Sequence, residues 1–315
     1  MDSVENRGYA LTASRERKKR QFRELIQGLL FASPVLLGFL IFVVGPIIYT
    51  LVLSFTSYNV VSSPKFVGLA NYKVLLCGQD AFFYPAVKAT LYYVLVSVPL
   101  GIVFAFFIAI LLNMKIKGRT IFRTIFYLPA IIPIAASSMI WLWLLQPDFG
   151  VVNYVLEALH LPTSRWLSSD ATVMPTLVLI SLWTTGNMIV IFLAGLQNIS
   201  AHLYEAIEVD GGNMFHKLIY ITIPMSSSII FFNTVIGFIN GFQTFVQPYV
   251  MTQGGPNKAS YLYVYYLFKE SFQFSRFGTS SASAILLFIV ILIITGMFFK
   301  FSKSLVYYEG KDSRK

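Results

Sequence analysis

The stretch from Ala89 to Met114, ATLYYVLVSVPLGIVFAFFIAILLNM, decides the class of fold. It runs for 26 residues without one Asp, Glu, Lys or Arg. The hydrocarbon core of a bilayer is about 30 Å thick, and a helix needs roughly 20 apolar residues to cross it. The stretch therefore predicts a transmembrane helix.

Five further runs of the same kind occur in the chain. The 315 residues are 56% hydrophobic and only 12% charged, whereas charged residues make up about a quarter of an ordinary soluble domain. Apart from Arg123, near the start of the third run, all charged residues lie outside the runs, as the cost of an intramembrane charge requires. The sequence therefore predicts an all-α integral membrane protein with six transmembrane helices, at Leu25–Phe55, Ala89–Met114, Ile121–Leu145, Val173–Leu196, Ser226–Met251 and Ala282–Phe299.

The distribution of basic residues predicts that both termini are cytoplasmic. With the N-terminus inside, 17 of the 24 Lys and Arg residues fall on the cytoplasmic side, which agrees with the positive-inside rule. The run RERKKRQFR would also attract nucleic acid or anionic lipid, but directly before a span we favour the topological interpretation and predict no nucleic-acid partner. The first apolar run is too long for a signal peptide and is expected to be retained. The predicted divisions are a basic cytoplasmic segment over 1–24, a transmembrane domain over 25–307 and a cytoplasmic tail over 308–315.

Two local features predict the shape of a path across the membrane and of the opening, or mouth, of that path on the outer side. In YLPAIIPIAASS, Pro129 and Pro133 each remove a backbone donor, and their spacing of four places both kinks on one face of the third span. A bent helix leaves room for a path. Outside the membrane, the segment between Gly150 and Pro162 has the apolar spacing of a short amphipathic helix that would lie across the mouth. The loop that begins GGP at 254–256 becomes aromatic and could pack on the membrane or receive a partner.

The chain lacks the motifs of several kinds of chemistry. It has no G-x-x-x-x-G-K-[S/T] to hold ATP phosphates and no G-x-S-x-G nucleophile elbow. The three histidines, His160, His202 and His216, have no metal-ligand spacing, and the single Cys77 can form no internal disulfide. We therefore predict no catalytic residue, no metal and no cofactor, so energy for uphill transport would come from elsewhere.

Two classes of transporter remain open, together with a membrane scaffold that transports nothing. An ion-coupled carrier needs ionisable residues deep in the membrane to hold the coupling ion, and the middle of each span has none. A subunit driven by a separate ATPase needs only a cytoplasmic docking surface. The second class is favoured.

The loop between the fourth and fifth spans is the candidate docking surface. Ser200 is a good N-cap for a helix through Val209, and a second helix can begin at Asn213. Between them both glycines of Asp210-Gly211-Gly212 are expected to accept positive φ. Pro224 stands in the first turn of the fifth span, where its missing donor costs nothing.

The charge of this loop points to a protein partner. The stretch 203–218, LYEAIEVDGGNMFHKL, carries three acids and one Lys, so anionic lipid would repel it. Leu203, Ala206 and Ile207 form an apolar stripe flanked by Tyr204, Glu205 and Glu208. A partner with a basic, partly apolar groove fits that surface.

The same residues carry a resemblance to a known family. E-A-x-x-x-D-G, followed after thirteen residues by the proline of I-T-I-P, resembles the EAA loop of permease subunits of binding-protein-dependent ABC importers; Ile207 and Gly212 stand where alanines are usual. Nearly everything after residue 25 is similar to the carbohydrate branch, and to the first permease subunit of its maltose and glycerol-phosphate systems. The blocks are PVLLGFLIFVVGPIIYTLVLSFTSYN with KFVGLANYKVLL, FYLPAIIPIAASSMIWLWLLQPDFGVVNYVL, FLAGLQNIS, and VMTQGGP with FGTSSASAILLFIVI.

The resemblance implies a fold, a set of partners and a mechanism. The fold is the type I ABC importer permease fold, with a coupling helix in the loop over 199–225 that docks on the ATPase through Glu205, Ala206, Asp210 and Gly211. The partners are a second permease in a heterodimer, two ATPase subunits that carry ATP and Mg, membrane lipid, and an extracytoplasmic protein that delivers a sugar, oligosaccharide or polyol. The location is a bacterial or archaeal plasma membrane, and transport is by alternating access.

The resemblance also places solute contacts in the fourth and fifth spans. An uncharged sugar needs hydrogen-bonding side chains rather than ions. A second interpretation stays open, because Asn and Gln in spans often join helices by hydrogen bonds worth about 1 kcal/mol, and Gly237-x-x-x-Gly241 is equally a small-residue packing motif. The positions expected to contact solute are Thr184, Asn187, Gly237, Asn240, Gly241 and Thr244.

Overall fold

The computed structural model describes residues 2–114 and 117–305, and this part of the chain is helical almost throughout. The predicted tail over 308–315 lies outside the described residues. Loops join the helices, and one short antiparallel ladder pairs β1 (Thr56–Ser57) with β2 (Lys65–Phe66). The α-helices are α1 Asp2–Phe39, α2 Gly45–Ser54, α3 Ala70–Leu76, α4 Phe83–Asn113, α5 Arg119–Ile131, α6 Ile134–Leu144, α7 Val151–Ala158, α8 Asp170–Trp183, α9 Gly186–Gln197, α10 Ala201–Val209, α11 Met214–Lys217, α12 Ile223–Met225, α13 Ser227–Phe242, α14 Tyr263–Phe268 and α15 Phe277–Leu305.

The predicted all-α membrane architecture is confirmed, but only half of the spans are continuous helices. Lys19–Ser54, Phe83–Asn113 and Phe277–Ser302 are each long and apolar enough to cross a bilayer. Three bent pairs have the same length and composition when each pair is taken as one span, which gives six. The pairs are α5 with α6, bent by 102°, α8 with α9, bent by 48°, and Met214–Met225 with α13, bent by 64°.

The break in the third span lies at Pro133, one of the two positions where the sequence predicts a kink. Helix α5 contains Pro129 and ends at Ile131, and Ile132 is extended, with ψ 129°. A residue before proline avoids the helical region because the proline ring clashes with it, so Ile132 breaks the helix and Pro133 caps the next one.

The predicted fifth span, Ser226–Met251, is not one continuous helix. Helix α13 covers Ser227–Phe242, Met214–Met225 precedes it across a bend, and a π-helical segment at Pro248–Thr252 follows it. Pro248 has no N–H, and its ring would clash with the carbonyl of Thr244, so a regular helix cannot run through 244–251. The segment over 243–247 consequently contains a short non-helical break at 243–245, and the chain is helical again from Val246.

Helix α4 is the centre of the fold, and it packs against α8, α9, α13 and α14. The end of the bundle that carries residues 199–225 is called the loop end below, and the opposite end the far end. At the loop end a cluster of apolar side chains joins α4 to α9; its buried members are Ala105, Ile108, Ala109, Leu112, Ile189, Phe192, Leu193 and Leu196. The first span is different, because none of its apolar window is buried within the chain.

The side chain of Asn71 links three elements by hydrogen bonds at the far end of the fold. Its side-chain amide donates to the backbone oxygens of Ser54 at 2.8 Å and Thr56 at 2.9 Å, and its Oδ1 accepts from Thr279 at 3.4 Å. One buried side chain thus connects α2, β1 and α15. Gly278, at the start of α15, lies directly against the same Thr56 oxygen.

A buried acid lies near this end, outside the spans. Glu270 is fully buried, with Arg276 at 3.5 Å as its ion-pair partner. Burial, and next the charge of Asp80, raise the pKa of the Glu270 carboxyl above its ordinary value of 4.5, while Arg276 acts in the other direction. Desolvation of the charged form therefore outweighs the ion pair.

We expect Glu270→Gln to reduce the pH dependence of stability. The pKa of the Glu270 carboxyl is higher in the folded than in the unfolded state, so the carboxyl contributes most to the free energy of unfolding at acidic pH. This contribution is lost as the pH rises from 4.5 through the raised pKa. The melting temperature of the unmodified protein should therefore fall relative to that of the variant over that rise. If the melting temperatures of the two proteins change in parallel with pH, the raised pKa of Glu270 is contradicted.

Candidate solute cavity and coupling loop

A cavity of about 610 Å³ lies inside the bundle. Its walls come from α4, the break between α5 and α6, the junction of α8 with α9, helix α13 and the segment over 243–247. None of the residues that line it is charged. All the predicted solute contacts, Thr184, Asn187, Gly237, Asn240, Gly241 and Thr244, line this one cavity.

Helix geometry explains why these residues meet. Residues three or four apart lie on one face of a helix, and Gly237, Asn240, Gly241 and Thr244 follow that spacing along α13 and its end. Thr184 comes from the other wall, where it is the C-cap residue that ends α8.

Two amide side chains are available to a ligand. Asn187 and Asn240 are exposed, and neither side-chain amide makes a hydrogen bond within the described part of the chain. The hydroxyl hydrogens of Thr184 and Thr244 already form hydrogen bonds within the chain, because they are donated to Ser181 O at 2.8 Å and to Asn240 O at 3.3 Å. Within this chain, the amides do not join helices.

The two glycines of α13 fit the packing interpretation. A Cβ atom built on Gly237 would lie 2.9 Å from Val98 Cγ1, and one built on Gly241 would lie 3.3 Å from Val94 Cγ2. The glycines therefore let α13 approach α4 closely, and they line the cavity with backbone rather than with side chains.

Sequence reasoning missed the wall contributed by α4. Tyr93, Ser97 and Gly101 line the cavity at a spacing of four, and Tyr93 donates a hydrogen bond to Gln247 Oε1 at 3.2 Å. That spacing of small and polar residues in an apolar run is the signal that would have identified the wall. Asn233, on α13, was also missed.

The loop over 199–225 has the two helices that the sequence predicts. Helix α10 follows Ser200, although the Ser200 hydroxyl makes no capping bond, and α11 follows Asn213. The Asn213 side chain accepts from the backbone N–H of Phe215 at 3.0 Å and of His216 at 3.1 Å. The predicted N-cap at Asn213 is therefore present in full.

Two side-chain contacts hold these helices to each other and to the fifth span. Lys217 forms an ion pair with Glu208, which joins α11 to α10. The Tyr204 hydroxyl lies 3.2 Å from Thr222 Oγ1, and Thr222 is buried in the π-helical segment that leads into the fifth span. Movement of α10 would therefore be transmitted to that span.

The outer surface of the loop combines acids with exposed apolar groups. Glu205, Ala206 and Asp210 are exposed on α10 and its C-cap, and Gly211 has open space around it. Val209 is 88% and Phe215 73% exposed. Apolar side chains this exposed, beside carboxylates, are typical of a surface that a partner covers.

Only one of the two glycines in the turn has positive φ. Gly211 has φ +78°, as expected, but Gly212 does not have a positive φ. Gly212 is required for space instead, because a Cβ there would lie 2.3 Å from Ile207 Cγ2 and 2.9 Å from Ile207 O. The two departures from the usual alanines, Ile207 and Gly212, therefore touch each other.

This contact predicts coupled effects of substitution. Gly212→Ala alone should lower the melting temperature, because the Ile207 side chain must move. Adding Ile207→Ala removes the clash with Cγ2 but not the close carbonyl, so part of the loss, about 1 kcal/mol, should be recovered. The measurement is a double-mutant cycle on the thermal stability of the purified protein. Strictly additive effects would contradict the contact.

Comparison with known proteins places the chain among transport proteins. Residues 97–305 match the family described as binding-protein-dependent transport system inner membrane component. The chain is 39% identical over 301 residues to the "Probable ABC transporter permease protein YesP" of Bacillus subtilis, covering 94% of this chain and 97% of the relative. It is 33% identical over 285 residues to the arabinooligosaccharides transport system permease protein AraP of the same species, covering 87% and 88%.

A solved structure shows the same fold. A chain of a bacterial alginate ABC transporter, crystallised with an alginate pentasaccharide-bound periplasmic protein, superposes with a TM-score of 0.79 at 23% identity. The match covers 91% of this chain and 96% of that one. The predicted importer permease fold is therefore confirmed.

Proposed function

This chain belongs to the family of binding-protein-dependent transport system inner membrane components, and we propose that the solute it carries is a sugar, oligosaccharide or related polyol. As a member of that family it is a membrane permease of an ABC importer and not an enzyme. Relatives named for arabinooligosaccharides, for trehalose and maltose, and for glucose support the proposed solute class.

The observation that carries the proposal is the chemistry of the cavity. Amide and hydroxyl side chains, with no charged residue among those lining it, suit a neutral solute rich in hydroxyls. An ion or a strongly charged solute would leave its charge unpaired there, which is costly at membrane depth. An ion-coupled carrier would likewise lack a side chain to bind its ion.

The loop over 199–225 supports a separate ATPase as partner, and the remaining partners belong to the proposed importer. We assign the loop over 199–225 to a groove of a separate ATPase subunit, with Glu205, Ala206, Asp210 and Gly211 at the contact. ATP and Mg are bound by two such subunits. A second permease completes the heterodimer, and an extracytoplasmic protein delivers the solute. Both termini are cytoplasmic in this arrangement, in a bacterial or archaeal plasma membrane.

Apolar packing at the loop end supports a mechanism of alternating access. Beyond the cavity, Ile229 and Ile230 of α13 pack against the apolar cluster of α4 and α9. ATP binding would draw the coupling helices of the two permeases together, and the Tyr204–Thr222 contact would pass that movement to the fifth span. The cavity then opens alternately to the two sides.

Asn240→Leu tests the solute contact. We expect it to lower the efficiency of uptake about tenfold, the loss expected for one or two hydrogen bonds to solute. The assay is uptake of a panel of glucose, maltose, trehalose and an arabino-oligosaccharide by vesicles that hold the complete transporter. Thr234→Val is the matched control, because the Thr234 hydroxyl donates to Ile230 O at 2.7 Å and does not line the cavity. Unchanged kinetics for Asn240→Leu would favour a purely structural role.

A further inference from the structure

Asn233 is a polar side chain in an apolar part of the cavity. It lies on α13, seven residues before Asn240 and therefore two turns nearer the loop end, on the same helix face. It is 3% exposed, and its Nδ2 atom has no hydrogen-bond partner. The side chain lines the same cavity as the predicted contacts.

The neighbourhood of Asn233 gives no structural reason for an amide. Ile229 and Ile230 precede it by one turn and pack on the apolar cluster, and the Ile229 side chain fills the space above Gly195. An apolar residue at 233 would continue this packing. A buried amide without a partner costs free energy, so its donor is expected to be satisfied by something that enters the cavity.

We infer that Asn233 is a further contact for the solute, on the loop-end side of Asn240 and one turn before Ile229 and Ile230, which pack on the apolar cluster. Nδ2 has almost no accessible surface in the free chain, and on binding the amide turns to donate to a hydroxyl or ring oxygen of a carbohydrate. Seven residues of helix correspond to about 10 Å, so this contact is separate from the one at Asn240. The inference rests on the proposed function and adds to it an order of contacts, in which the solute meets Asn240 first and Asn233 as it moves toward the loop end.

This order predicts a specific kinetic signature. A contact that forms after capture stabilises the passage of the solute rather than its initial binding. Asn233→Leu should therefore reduce the maximal rate of uptake about tenfold and leave the half-saturating concentration nearly unchanged. Asn233→Ser, which keeps a donor, should recover part of the rate.

The test uses the complete transporter in vesicles and whichever sugar of the panel the unmodified complex transports. The control is again Thr234→Val, which should transport normally. If Asn233→Leu transports at the unmodified rate while Asn240→Leu is impaired, the inference is overturned and the proposed function stands. If the unmodified complex transports no sugar of the panel, the proposed function itself fails.

A second measurement covers the case in which Asn233→Leu does not assemble. In a Cys77→Ser background, Asn233→Cys supplies one thiol in the cavity for a small methanethiosulfonate reagent. We expect the transported sugar to slow the reaction several-fold during turnover. A reaction rate that the sugar does not change would overturn the inference.

Discussion

Replacing Gly211 with valine is expected to abolish ATP-driven uptake, by 100-fold or more, while the chain still inserts in the membrane. Gly211 has φ +78°, and no atom lies within 4 Å of a Cβ built there. The effect is therefore one of backbone conformation, because a β-branched residue is strongly disfavoured at positive φ. Relaxation of the turn would change the angle between α10 and α11 and misplace Glu205 for docking.

Gly211→Asn is the matched control for this prediction. Asparagine adds a side chain of similar bulk but tolerates the left-handed region better than other residues do. Uptake and the amount of ATPase that copurifies should both be largely retained in this variant and lost in the valine variant. Normal coupling in the valine variant would show that the turn does not position the loop.

Replacing Gly278 with alanine is expected to have the largest effect on stability, about 3 kcal/mol. A Cβ atom there would lie 2.0 Å from the backbone oxygen of Thr56. That oxygen is held in place, since Asn71 donates to it and Thr56 pairs with Phe66 in the ladder. The clash can be relieved only by separating α15 from β1. Yield and melting temperature should both fall.

Gly296→Ala provides a control within the same helix. Gly296 also belongs to α15, and no atom lies within 4 Å of a Cβ built there. Alanine is favoured over glycine in a helix by about 1 kcal/mol, so this variant should be as stable as the unmodified protein or slightly more stable. Equal destabilisation by both substitutions would contradict the close contact at Gly278.

The spans and the coupling loop could be predicted from local sequence. Length without charge defines a span, Pro133 defines the bend beside it, and Asn213 with Gly211 defines the turn between α10 and α11. Each of these features depends on a few neighbouring residues. The end of the helix in the fifth span could not be placed from the absence of charge alone, because no charged residue follows Phe242 before Lys258, whereas α13 ends at Phe242.

Features that depend on contacts between distant segments could not be predicted. The need for glycine at position 278 depends on Thr56, more than 200 residues away. The wall formed by Tyr93 and the unpaired amide of Asn233 became visible only once α4 and α13 were packed together. The predicted set of cavity residues was thus coherent but incomplete.

We propose that an ATPase, and not an ion gradient, drives this permease. The most direct measurement is sugar uptake by cells or vesicles that contain the complete transporter, with the proton and sodium gradients collapsed and ATP maintained. We expect uptake to continue at nearly its normal rate and to stop when ATP is removed. Uptake that disappears with the gradients while ATP is present would contradict the account.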